Sequence, residues 1–276
     1  LFREKYFERQ DYIRELATKG QQPKALYIGC SDSRVVPEYL LNTGFGELLV
    51  EALRAGRDTV VVTGTASGKS LCFHLPTLEK LLEEPEATAL YLFPTKALAQ
   101  DQLKSLTRLA AGDLDTTRTL VAGVYDGDTA TGTRRKLRES ANVILSNPDM
   151  LHAGILPQHA RWARFLRNLR YVVIDEMHAY RGIFGSHVSN VLRRLERIVR
   201  HYGGEFRYVL CSATIRNPGE LAGLLTGRDV AVVDDDGSPR GAKHFVFWNP
   251  PYRDDTMVER RSSNVEGCQI MAGLME

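Results

Sequence analysis

The chain is poor in the features that mark several large protein classes. Its four cysteines, Cys30, Cys72, Cys211 and Cys268, are scattered with no Cys-x-x-Cys pair. That argues against a disulfide scaffold and makes a reducing cytoplasm the expected compartment. No apolar run approaches the roughly 20 residues needed to span a bilayer, so no membrane partner is expected. The opening LFREKYFERQ is charged and aromatic, unlike a secretory leader. It has no initiator Met, so a fragment or a processed chain is expected. Charge of one sign is also scarce: 36 Lys and Arg against 34 Asp and Glu leave a net charge of +2. Such a balance excludes a strongly basic nucleic-acid binder, but not a protein that grips phosphates through a few placed donors. No internal repeat or low-complexity segment occurs.

What is present suits a sizeable core, since 43% of the 276 residues are hydrophobic and 25% charged. From residue 59 onward, short β-branched runs alternate with amphipathic stretches. The runs are Thr59–Thr63, Ala89–Phe93, Leu120–Val124, Asn142–Leu145, Tyr171–Ile174 and Tyr208–Cys211. Runs of this kind predict strands of a parallel sheet covered by helices on both faces. Val188, Val191, Leu192, Leu195, Ile198 and Val199 share one helical face, and Gly203-Gly204 ends that helix. The fold class is therefore α/β, doubly wound. The first fifty residues follow another pattern, a short partial α/β segment. It has a charged helical stretch from Tyr6 to Lys19, a break at Pro23, a strand Ala25–Ile28 and then Cys30-Ser-Asp32-Ser-Arg34.

After the first strand comes Gly64-Thr65-Ala66-Ser67-Gly68-Lys69-Ser70, followed by a helical run Leu71–Leu82. A strand, a glycine-containing loop and a helix start make an anion cradle, because backbone N–H groups and the positive helix end converge on one phosphate. In such a loop Lys69 would bridge the β- and γ-phosphates and Ser70 would ligate Mg²⁺. The strict template wants Gly at position 63, where this chain has Thr, so the loop is a relaxed form. Strand Tyr171–Ile174 ends in Asp175-Glu176-Met177-His178. At the carboxyl end of a parallel strand this pair faces the ligand crevice, where Asp175 could hold Mg²⁺ and Glu176 could polarise a water. His178 would sense the γ-phosphate or touch a neighbouring motif.

These residues resemble the DEAD/DExH-box helicases of superfamily 2. TGTASGKS is similar to motif I and DEMH to motif II. Ser212-Ala213-Thr214 resembles motif III, which couples hydrolysis to strand movement; Pro94–Gln102 resembles motif Ia and Ser146–Met150 motif Ib. Tyr125–Thr129 sits where the family has another strand-contacting loop. The strings YLFPTKALAQDQL, YDGDT, NPDMLH and YRGIFGSHV are similar to a bacterial, archaeal and fungal subgroup of DNA-repair helicases with a C-terminal zinc-binding region. The resemblance covers about residues 52 to 251 and implies a RecA-like ATP-binding domain that uses ATP and Mg²⁺. It implies nucleic acid, DNA in particular, as partner, contacted through Thr95, Lys96, Gly127, Asp128, Ser146 and Asn147. It says nothing of oligomeric state.

Two family parts are missing from the sequence: the aromatic-and-glutamine element before motif I, and a second RecA-like domain with its arginine finger. Residues 252–276 read as a polar tail, the truncated start of that second domain. An arginine finger is worth ~10³–10⁵ in rate, so weak ATP binding and little unwinding are expected. Residues 1–50 resemble the N-terminal part of β-class carbonic anhydrases. That resemblance makes Cys30 a vestigial zinc ligand and Asp32 and Arg34 its dyad. No His-x-x-Cys pair follows to complete the site, so zinc is not expected to be held. Three readings stay open here: a helicase motor domain, a zinc-dependent carbonic anhydrase, and a nucleotide- or DNA-binding module without turnover.

Overall fold

The structure is a computed structural model, and it describes residues 53, 55–62, 69–112, 119–234, 249–253 and 259–275. The expected elements of residues 1–50 therefore lie outside the described residues. The chain divides into two compact units, with the boundary after residue 238.

The larger unit is a seven-stranded sheet in the order β3-β4-β2-β5-β6-β1-β7. Its strands are β1 (Asp58–Val62), β2 (Thr88–Leu92), β3 (Ala122–Val124), β4 (Val143–Ser146), β5 (Leu169–Ile174), β6 (Arg207–Ser212) and β7 (Val230–Val233). Every pairing is parallel. Among the described residues, the helices of this unit are α1 (Lys69–Glu83), α2 (Lys96–Ala110), α3 (Thr131–Ser140), α4 (Pro148–Met150), α5 (Ala163–Arg167), α6 (Gly182–His201) and α7 (Pro218–Thr226).

Side chains on successive strand residues point to opposite faces, so each central strand feeds two cores. Val60, Val62, Leu90, Leu92, Val172, Ile174 and Leu210 face one layer with Val188, Leu192, Leu195 and Val199 of α6. Val61, Ala89, Tyr91, Val173, Val209 and Cys211 face the other, against Cys72, Phe73 and Leu81 of α1 and Leu106 of α2. A fully buried Leu or Val side chain contributes roughly 1.5–3 kcal/mol before ordering costs. This accounts for the continuous apolar runs in the sequence. Helix α6 ends where expected: Gly203 has φ +77, a left-handed geometry that glycine adopts without steric cost.

Six of the strands fall within two residues of their expected positions. The seventh, β7, was not anticipated. It lies at the sheet edge, pairs only with β1 among the described strands, and is half-covered, so its short VAVV run between charged residues carries little signal. The amino end of β1 is fastened by Arg228, which pairs with Asp58 at 3.2 Å and with Glu196 at 3.0 Å. Asp58 in turn accepts the Tyr208 N–H at 2.6 Å.

In the smaller unit, the stretch expected as a polar tail contains a helix, α8 (Ser263–Met275), preceded by an antiparallel bridge between Tyr252 and Arg260. The Arg260 guanidinium lies 4.1 Å from the centre of the Tyr252 ring. Among the described residues, no helix is long and apolar enough to cross a membrane.

Candidate functional site

All the candidate residues that are described lie at or just beyond the carboxyl ends of strands, or at the first turn of the helix that follows. The sheet order sorts them into two neighbouring groups.

The first group belongs to β1, β5 and β6. Lys69 and Ser70 open α1, both half-buried. Thr65, Ala66, Ser67 and Gly68 lie outside the described residues. Asp175 follows β5 and is 5% exposed, with Oδ1 accepting the Glu176 N–H at 2.9 Å. Burial pushes the Asp175 carboxyl up to about 6, and the Glu176 carboxylate adds to the rise; the Glu176 N–H and the Lys69 charge oppose it. Glu176 has φ +50, the sole positive φ of a non-glycine residue among the described residues. A left-handed conformation of this kind costs on the order of 1 kcal/mol. It turns the chain sharply, and the Glu176 carboxylate meets His178 Nδ1 at 3.2 Å. The same Nδ1 lies 3.5 Å from Ser212 Oγ. Ser212 is buried at the end of β6, in register with Val62 of β1, while Ala213 and Thr214 continue toward the surface. The motif II and motif III segments thus meet through His178.

The second group belongs to β2, β4 and β3. Thr95 caps α2, its hydroxyl accepting the Leu98 N–H at 3.3 Å. Lys96 Nζ pairs with Asp128 at 2.5 Å. Asn147 caps α4 through its Oδ1, which accepts the Met150 N–H at 2.7 Å. Ser146 is turned inward: its hydroxyl donates to the Tyr125 carbonyl at 2.6 Å and is buried, so the proton that would reach a phosphate oxygen is already used. Gly127 and Asp128 sit on a loop tied down by Arg134, which donates to the Asp126 and Gly127 carbonyls at 2.7 and 2.9 Å. Arg134 and the buried Asp126 were not singled out from the sequence. An acid eight residues before an arginine is too common a spacing to mark a loop staple.

Residues 46–221 match the DEAD/DEAH box helicase family. The chain belongs to that family. Its helicase core is 48% identical over 215 residues to the uncharacterized ATP-dependent helicase YprA of Bacillus subtilis, covering 78% of this chain and 28% of that protein. It is 40% identical over 229 residues to the ATP-dependent helicase HRQ1 of Saccharomyces cerevisiae, covering 82% of this chain and 21% of that protein. The fold matches the crystal structure of helicase MrfA bound to DNA and AMPPNP with a TM-score of 0.79 and 39% identity, over 96% of this chain and 39% of that one. The chain thus spans about a quarter of the length of the curated relatives it matches. It carries the ATP-binding motor domain of this helicase family. Nothing in these matches supports the resemblance of residues 1–50 to β-class carbonic anhydrases, or a carbonic anhydrase activity. Cys30, Asp32 and Arg34 lie outside the described residues.

Proposed function

We propose that this motor domain, taken over residues 51–251, couples weak, Mg²⁺-dependent ATP hydrolysis to movement along DNA. Lys69 and the backbone of Thr65–Gly68 hold the phosphates, and Ser70 and Asp175 hold the Mg²⁺. The observation that carries this reading is the convergence at the ends of β5 and β6. There, buried Asp175 feels the Lys69 charge, and Glu176 and Ser212 both lie against His178. Asp175 suits a divalent cation: it is a carboxyl desolvated enough to rise to about 6, and a bound cation would offset that burial. Bound Mg²⁺ supplies neutralisation of phosphate charge. The chain's own contribution is to place the Glu176 carboxylate one residue beyond that site, where it polarises the attacking water. His178, with Ser212, Ala213 and Thr214, passes the state of the nucleotide to the strand-binding face.

On the neighbouring face, Thr95, Lys96, Gly127 and Asn147 receive the phosphate backbone, which positions a strand without reading its sequence. Ser146 supports this face from beneath. The choice of DNA is favoured by the likeness to MrfA, which is described as bound to DNA.

The test is ATP hydrolysis with and without DNA, using Lys69→Ala as control. DNA-stimulated turnover by wild type, lost in Lys69→Ala, is the expected result. Equal hydrolysis by both overturns the enzyme reading, and nucleotide and DNA binding without turnover would replace it with a binding module.

A further inference from the structure

The loop between β3 and α3 is built without help from the Asp128 side chain. Its inner staple is Asp126, whose buried Oδ1 accepts the N–H groups of Asp128 and Thr129, each at 3.0 Å, and the Thr129 hydroxyl at 2.9 Å. Its outer staple is Arg134, which holds two loop carbonyls while lying 5.6 Å from the centre of the Tyr125 ring. Asp128 is therefore free to do something else. Its side chain is 77% exposed and engages Lys96, 32 residues earlier in the sequence.

Lys96 is the first residue of α2, where the helix end already carries partial positive charge. A cation added there raises the pull on any anion nearby, and in the free protein the carboxylate of Asp128 answers that pull. A groove of about 520 Å³ is lined by both residues together with Gln100, Thr129 and Thr133. Two exposed partners make the pair weak, since such ion pairs are screened by water and salt. An arriving phosphate can displace the carboxylate. The carboxylate itself would repel a phosphate that came without displacing it.

We propose that Asp128 is an intramolecular stand-in for a backbone phosphate. It occupies Lys96 until nucleic acid displaces it, and so restrains the grip of this face. The proposal rests on the reading of this face as strand-binding. It changes the role of Asp128 from contact to competitor.

Fluorescence anisotropy of the full 276-residue chain with a labelled oligothymidylate, at low and high salt, separates the two claims. Lys96→Ala should weaken binding. Asp128→Asn should tighten it about threefold at low salt, and the gain should fade as salt rises. In the Lys96→Ala background, Asp128→Asn should have no effect. Binding by Asp128→Asn that is weaker than or equal to wild type overturns the competitor role while Lys96→Ala remains impaired. Equal tightening with and without Lys96 reduces the effect to general charge and overturns it too. If Lys96→Ala binds like wild type, or nothing binds, the strand-binding reading of this face fails first and the competitor role falls with it. Both residues are surface-exposed, so thermal melts of the variants should match wild type.

Discussion

The carboxyl edge of one sheet carries two groups of candidate residues, one proposed for the nucleotide and one for the strand, made in different ways. Around β5 and β6, the half proposed for the nucleotide buries one charge: Asp175 is 5% exposed, beside Glu176, whose side chain is 32% exposed on a left-handed backbone. Around β3, β4 and β2, the strand-binding half keeps its charge in water: Lys96 and Asp128 are 51% and 77% exposed. There, the polar groups beneath the surface serve as helix caps and loop staples. The contrast follows from what each half would bind. A triphosphate with its cation needs a few groups fixed and dehydrated before it arrives, because preorganised charge in a dry site acts most strongly. A long polyanion that must be gripped and released is better served by weak, screened contacts.

Substitutions in each half test whether the two are built differently. The largest expected effect is on Glu176→Gln. It should lower ATP turnover by roughly 10²–10⁴-fold while leaving DNA affinity nearly unchanged. A comparable loss of DNA affinity, seen by anisotropy, would mean the halves are not separable.

Next is Asp175→Asn, which keeps an acceptor for the Glu176 N–H but removes the buried charge. A carboxyl raised in the folded state binds more protons folded than unfolded, so stability falls as pH rises from about 3.8 through about 6. The variant should therefore be more stable than wild type at neutral pH without ligand, by on the order of 2 kcal/mol. That advantage should shrink toward pH 4. Denaturant melts at several pH values measure it, and a pH-independent difference would count against burial as the cause. His74, held neutral by burial with its pKa near 4, shifts both proteins alike and cancels in the comparison.

The smallest effect is expected in the strand-binding half. Thr95→Ala removes the α2 cap and should cost about 1 kcal/mol of stability, with ATP turnover in the absence of DNA intact. A loss of that basal turnover would show that the cap also holds the nucleotide half in place.

Much of the architecture could be read from the residues, because burial on both faces of a parallel sheet demands continuous apolar runs. The stripe Val188, Leu192, Leu195, Val199 likewise declared the inner face of α6. Elements with weaker burial escaped: β7 at the edge, and α8, whose apolar residues gather on no single face. The candidate site was visible where the residues proposed for it are adjacent, as in Lys69-Ser70 and Asp175-Glu176. It was not legible where partners are far apart in the chain. Nothing in the local sequence pairs Lys96 with Asp128 or turns the Ser146 hydroxyl inward to Tyr125, and the neighbour expected for His178 is identified as Ser212 by the fold.

The alternation of strands and helices, the membership of the helicase family and the residue types available at each strand end follow from the residues alone. Periodicity and short motifs are local properties that one chain carries without its fold. Which of those residues are dry, which are wet and which are already engaged by a neighbour is set by how the elements pack. Those outcomes depend on strand order, which brings β3, β4 and β2 together at one side of the edge and β5, β6 and β1 at the other. Burial is what lifts the Asp175 carboxyl, and exposure is what leaves the Lys96–Asp128 pair weak enough to exchange.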